Sequence, residues 1–508
     1  MEQNRTDSYI SVFKKTYENS LEQSIDTDFT LPDYYPEIEK ILKCLQEITI
    51  LSKECFDGKL NIGGQVVLTL MYLGSDEQIN SFTHTYLFSK SVDVDSEDGE
   101  LVIVKPKIAY LNTKAVGPRK VEIHGSASLN ANVSKIENIS VVSSVDFEGV
   151  YTRSNEISAS VPLGVVKKST FIEDEINIPQ TKPTIGKILR YSARPVISEC
   201  KNVSGKTVVK GDVDIELLYC PSDSKKPIFI TERRGFSQIV DSLSDDDCVY
   251  VSRVKTDSID LRPKTSLDGE VRTVNFEVKM TVELICYKQT TQTVVTEAFS
   301  TKHPTDIKLC QLRIENIADE ISENFVCKKT FDFSDGLISE IYNSWCDAII
   351  EHTAFDGNNL LISGVVTVHI LGVDNDGLPV YFERTADFEY NRALDLEAGE
   401  VDCYCDLMVV AINCILNSDG NIETSVELSV TGTVFSAKSV MAIADLKIDY
   451  DNDLKQEDNA ALILYFAENE TVWSIAKKYR TSPSAICTTN GICDVDYECN
   501  RMILIPKI

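Results

Sequence analysis

The chain repeats itself, and the spacing of the repeats restricts the fold more than any other feature. The segment LPDYYPEIEKIL, residues 31–42, returns as IPQTKPTIGKIL at residues 178–189, an offset of 147. GQVVLTLMY (Gly64–Tyr72) returns as GDVDIELLY (Gly211–Tyr219) at the same offset. A third copy, GVVTVHILG, begins at Gly364, 153 residues further on. Two independent phrases at one offset mark an internal duplication. The short phrases VFKKTY (from Val12), VVKKSTF (from Val165) and VCKKTF (from Val326) mark the start of each copy. The third copy lacks the proline phrase, and FSDGLISEIYNSW stands in its place.

The copies read as sheet. Val66, Leu68 and Leu70 alternate with polar or small neighbours, as do Val213, Ile215 and Leu217, and Val366, Val368 and Ile370. Each copy closes on a second alternating run, starting at Val121, Val274 and Ile422. Asp376-Gly377 and Asp419-Gly420 predict hairpin turns. In the opening phrase, Pro32 and Pro36 impose an extended or turn conformation. Ile38, Ile41 and Leu42 follow at i, i+3 and i+4, which predicts a short helix laid on the sheet. The phrase is read as a structural staple rather than a binding motif. The expected fold is mainly β with short helices, α+β overall. Three antiparallel-sheet repeats span 1–155 (with the N-terminal segment), 156–318 and 319–448, and a small module follows.

Charge and composition narrow the function. A 508-residue chain with net charge −29 and pI near 4.6 does not suit nucleic acid or an anionic membrane as its main partner. The first ten residues lack a signal-peptide pattern, and no run of about 18 apolar residues predicts membrane insertion. The 15 cysteines include no C-x-x-C, and Cys403-x-Cys405 reads as two buried thiols on one side of a strand. Gly205-Lys206-Thr207 lacks the upstream glycine of a phosphate loop, having Cys200 there. DSLSDDD (Asp241–Asp247) lacks EF-hand spacing and reads as a solvated acidic loop. The histidines His84, His124, His303, His352 and His369 are scattered, and His124 and His369 are expected to face outward from strands. No catalytic, cofactor-binding or metal-binding set emerges, so the chain is read as a non-enzyme.

The C-terminal stretch differs in kind. DYDNDLKQEDN (449–459) reads as an acidic linker, and 460–508 as a separate module. From Ala461 on, Lys477, Lys478, Arg480, Arg501 and Lys507 balance Glu468, Glu470, Asp494, Asp496 and Glu498. The expected order is strand, helix, helix, strand (βααβ). Val472, Ile475, Ala476 and Tyr479 form an apolar stripe, with Asn469 and Thr471 as candidate N-caps. Ser482-Pro483 opens the second helix and Asn490-Gly491 ends it. MILIP (Met502–Pro506) is the closing strand. YFAENETVWSIAKKYRTSPSAICTTNG…MILIP resembles a LysM domain, matching at Thr471, Trp473, Ile475, Ala476, Tyr479, Asn490 and Pro506. The resemblance implies a binding groove at Asn469, Glu470, Thr471, Trp473, Lys477, Asn490, Gly491 and Ile492. LysM domains usually bind N-acetylglucosamine polymers there. The family's Gly-Asp is Asn469-Glu470 here, which speaks against a sugar ligand.

The repeats, with the proline phrase and G-x-V-x-[LI] strands, resemble SPOCS domains. Together with the C-terminal module they resemble the SipL family of spore-coat morphogenesis proteins. That resemblance implies a non-enzymatic scaffold in the mother-cell cytoplasm, at the forespore surface. Its LysM domain would dock onto the spore coat morphogenetic ATPase of the basement layer, alongside other coat proteins. The alternative is a peptidoglycan- or cortex-binding protein using the same module on glycan.

Overall fold

The structure, a computed structural model, describes residues 4–95, 101–203, 205–241, 243, 248–333, 337–395, 400–454 and 461–506. Repeat 1 contributes β1 (Asn4–Thr30), β2 (Ile38–Phe56), β3 (Lys59–Gly74), β4 (Ile79–Asp93), β5 (Leu101–Ala115) and β6 (Lys120–Asp146). Repeat 2 contributes β7 (Val150–Asn177), β8 (Ile185–Val203), β9 (Lys206–Pro221), β10 (Ile228–Asp241), β11 (Cys248–Thr265) and β12 (Val271–Ser300). Repeat 3 contributes β13 (Thr305–Asp332), β14 (Glu340–Asp356), β15 (Asn359–Val373), β16 (Pro379–Ala393), β17 (Glu400–Leu416) and β18 (Asn421–Ile448). In every repeat the sixth strand lies between the first and fifth, and the third between the second and fourth, all antiparallel. The two sheets enclose one core. Val66, Leu68 and Leu70 of β3 share it with Val121, Ile123 and Leu129 of β6, as the alternation requires.

The expected helix after the proline phrase is absent; β2 begins at Ile38. The reason is bulging. The register of β2 on β3 slips between Ile38 and Lys40 and again between Ile41 and Lys43. Each slip inserts one extra residue and stretches a two-residue alternation to three, which imitates a helix. β8 slips at the matching places, Ile185/Lys187 and Ile188/Arg190. Ile38 and Ile41 therefore pack on the core inside the sandwich, while Leu42 and Leu45 turn outward to a second apolar cluster.

The proline phrase itself is a turn clamped by two side chains. Tyr35 N–H donates to Pro32 O (2.9 Å) and Lys182 N–H to Pro179 O (2.9 Å). Tyr72 Oη donates to Pro36 O (3.1 Å), as Tyr219 Oη does to Pro183 O (2.9 Å). Arg119 donates to Pro32 O (3.1 Å) and Tyr35 O (2.6 Å), and Arg272 donates to Lys182 O (3.1 Å). In repeat 3 the register places Gly372 where the tyrosine would be and Gly420 where the arginine would be. Ile338 occupies the space beside Gly372. The prolines and both clamp residues are thus missing together. Arg119→Ala is expected to destabilise repeat 1 by about 1–3 kcal/mol, because it strands the Tyr35 carbonyl oxygen and leaves Pro32 O with the Tyr35 N–H alone. Thermal unfolding checks this, and an unchanged midpoint would remove the clamp.

The Lys-Lys phrases do not mark equivalent positions. Pairing makes Val12, Ala159 and Ile314 equivalent, because they face Glu137, Thr290 and Lys438. The phrase starting at Val165 lies six residues beyond Ala159 and the one starting at Val326 twelve beyond Ile314, so the match reflects a recurring composition rather than descent. His369 also departs from expectation. His124 is exposed beside Asp26 (3.0 Å), whereas His369 is buried and stacked on Trp345. Cys403 and Cys405 do face one side, toward the repeat 3 core, with their sulfurs 2.9 Å apart.

The three repeats join around a common axis. At one end Met71, Leu218 and Leu371, equivalent residues of β3, β9 and β15, meet in one buried cluster. At the other end the outer halves of the first and sixth strands continue as three two-stranded ribbons. These ribbons pack through Ile10, Ile157 and Leu312, then through Val142, Val295 and Ile443. Between the two ends lies a cavity of about 1080 Å³ touched by all three repeats, with Glu47, Lys53, Arg194, Lys255, Asp347 and Asp406 on its wall. Glu47, Arg194 and Asp347 are equivalent positions in the three copies. Three identical copies would put three like charges there. Divergence instead gives mixed charge, with Arg190 and Arg194 both on Glu216, Arg190 over the Trp345 ring (5.1 Å) and His369 on Asp347 (3.0 Å). The axis is thereby specific to three different copies.

Candidate functional site

Residues 461–506 form β19 (Leu462–Phe466), β20 (Glu470–Thr471), α1 (Val472–Tyr479), α2 (Pro483–Asn490), β21 (Glu498–Cys499) and β22 (Met502–Pro506). β19 pairs with β22, and β20 with β21. Val472, Ile475 and Ala476 are fully buried, because their spacing puts them on one face of α1. Thr471 is the N-cap of α1, its Oγ1 accepting from Ser474 N (3.2 Å). Asn469, the other candidate cap, lies instead in a left-handed turn at φ 52°. Ser482 caps α2, Pro483 is its first residue, and Gly491 closes it at φ 63°. The linker is less free than its composition suggests. Asp449 N donates to Pro304 O (2.9 Å) and Leu454 N to Lys302 O (2.9 Å). Residues 455–459, the rest of the expected linker, lie outside the described residues, as does most of the Asp241–Asp247 loop.

The expected groove residues separate into groups. Asn490 is a tie between α2 and β22: its amide donates to Ile486 O (2.8 Å) and Leu504 O (2.6 Å) and accepts from Leu504 N (2.7 Å). Ile492 belongs to the module's core. Asn469 pairs with Asn500, its N–H donating to Asn500 Oδ1 (2.8 Å). Glu470 accepts from Tyr465 Oη (2.6 Å) and Lys478 Nζ (3.3 Å). The Tyr465 hydrogen bond and the Lys478 charge hold the Glu470 carboxyl below its ordinary range despite some burial. Gly491 is exposed. Trp473 and Lys477 remain, together on the flank of α1.

Those two side chains are engaged by repeat 2. Trp473 Nε1 donates to Glu297 Oε2 (3.0 Å), and Lys477 Nζ reaches the same oxygen (3.1 Å). The Phe299 ring meets Trp473 edge-on at 5.1 Å and stacks on Tyr151 at 5.5 Å. Arg153 bridges to Asp496 (2.8 Å) and lies 3.6 Å from Glu297. A bulge between Val295 and Glu297 turns Glu297 toward the module. Trp473 is therefore 5% exposed, not partly open as its place at the edge of the stripe suggests. No pattern in the sequence pairs it with a residue 176 positions earlier. Burial pushes the Glu297 carboxyl up, but Trp473, Lys477 and Arg153 together hold it below its ordinary value. A lowered carboxyl stabilises docking above about pH 4.3 and loses that contribution as pH falls through the lowered value, so acid loosens the contact.

Among the described residues no helix is long and apolar enough to cross a membrane, and no cluster of three or more histidine, cysteine or acidic side chains could hold a metal. Comparison with known proteins gives one match. The family model described as SipL, SPOCS domain, covers residues 37–116 and 184–283, and both segments begin one residue after the second proline of the opening phrase. Repeat 3, which lacks that phrase and its clamp, is not matched. No curated protein and no solved structure matches the chain.

Proposed function

Because the chain is SipL-like over 37–116 and 184–283, and so sporulation-related, we propose that it is a scaffold of the spore coat. Its C-terminal module would dock onto the morphogenetic ATPase of the coat's basement layer, in the mother-cell cytoplasm at the forespore surface. The observation that carries this reading is the pairing of two SPOCS matches with a terminal module whose α1 carries Trp473 and Lys477 side by side on the flank that repeat 2 covers. Tryptophan is enriched at interface hot spots, and a neighbouring cation suits an acidic partner. The turn where LysM domains take sugar supports a protein ligand, since Asn469 and Glu470 are satisfied within the module. SipL is not a known enzyme family, which fits an adaptor role.

The test is a binding titration of purified coat ATPase against the whole chain and against a chain ending at Asp449. Saturable binding by the first and none by the second is expected. Equal binding by both would move the contact to the repeats. Strong retention of the whole chain on purified cell wall, without ATPase binding, would favour the glycan reading.

A further inference from the structure

The side chains of the ribbon end that covers Trp473 have no chemical counterpart in the other repeats. Pairing makes Tyr151, Glu297 and Phe299 equivalent to Asn4, Ser144 and Asp146 in repeat 1, and to Asp306, Asp445 and Lys447 in repeat 3. Only repeat 2 offers two aromatic rings around a carboxylate. That set engages both side chains of the α1 flank: the carboxylate takes the indole N–H and the ammonium of the half-exposed Lys477, and Phe299 takes the indole ring edge-on. Phe299 is buried in the same apolar cluster as Val472, Trp473 and Ile475, so the contact continues the module's core rather than resting on charge alone. Arg153–Asp496 closes its rim.

We infer that the β7–β12 ribbon end of repeat 2 is an internal ligand for the C-terminal module, masking the Trp473–Lys477 flank until a partner displaces it. This rests on the docking role proposed above, and it adds the partner's chemistry: a carboxylate beside an exposed aromatic ring, competing with Glu297 and Phe299. A flank that is free only part of the time binds with an affinity lowered by that fraction.

The test opens the contact from the repeat 2 side and leaves the module's own flank intact. Glu297→Lys sets a positive charge against Lys477 and Arg153. Two readouts are taken on the full chain: acrylamide quenching of tryptophan fluorescence, and titration with purified coat ATPase. Trp345, the other tryptophan, is buried in the axis cluster, so a rise in quenching reports Trp473. The expected result is increased quenching with ATPase affinity raised about tenfold. Arg153→Glu should act in the same direction, and adding Asp496→Arg should restore both readouts, which a merely misfolded variant would not do. Unchanged quenching overturns the internal contact. Increased quenching with unchanged or weakened ATPase binding overturns the masking, since Glu297 would then not compete. If neither chain binds ATPase while quenching rises, the partner assigned above fails and the internal contact stands.

Discussion

Gly364→Ala is expected to destabilise repeat 3 by about 3 kcal/mol, the upper part of the range for forcing extra atoms into a packed interior. Each repeat carries a glycine as the sixth residue of its central strand, and each glycine faces a phenylalanine on the next strand: Gly64 and Phe88, Gly211 and Phe236, Gly364 and Phe388. The ring lies across the glycine, an arrangement in which an aromatic side chain supplies the packing that glycine lacks. On the other side the second strand bulges, between Ile350 and His352 in repeat 3, and aims the Ile349 carbonyl at the same spot. A methyl group at Gly364 would meet that oxygen and come within 2.9 Å of the Phe388 ring. The backbone oxygen cannot swing away without breaking the bulge, so the collision is not relieved by a side-chain rotation. Urea unfolding of the variant measures the loss. A midpoint equal to that of the parent would mean that the glycine is only an inherited letter of the repeat.

That glycine shows where the sequence is readable and where it stops. The alternation that starts at that glycine identifies the central strand because buried alternation has a period of two, and Val366, Val368 and Ile370 lie in the core. The hairpins at Gly377 and Gly420 are legible for the same local reason, both glycines having φ near 80°. Ile38–Leu42 misleads because two bulges add two residues, and nothing in the letters separates a bulged strand from a helical turn. The Lys-Lys phrases mislead because they lie where little but charge is required. His369 could not be placed from its own strand. Its burial depends on Trp345 and Tyr381, and on the meeting of three repeats that no local pattern encodes. The α1 stripe was readable, but its flank was not, since Glu297 and Phe299 come from another repeat.

Trp473→Ala is expected to weaken binding of the coat ATPase by at least about 2 kcal/mol, roughly thirtyfold, while the chain stays folded. The module keeps its centre in the variant, because Val472, Ile475 and Ala476 still pack with Ile486, Ile503 and Ile505 and Thr471 still caps the helix. The same variant also breaks the hydrogen bond to Glu297 and the contact with Phe299. It therefore opens the internal contact just as Glu297→Lys does. Two variants that release the same contact are then expected to move partner affinity in opposite directions: upward where the flank is uncovered intact, downward where its anchor is gone. Circular dichroism and the ATPase titration on one sample decide it. An unfolded variant would make Trp473 a core residue. A folded variant with parental affinity would place the docking surface elsewhere on the chain. A rise in affinity matching that of Glu297→Lys would mean that Trp473 serves only to close the module onto repeat 2.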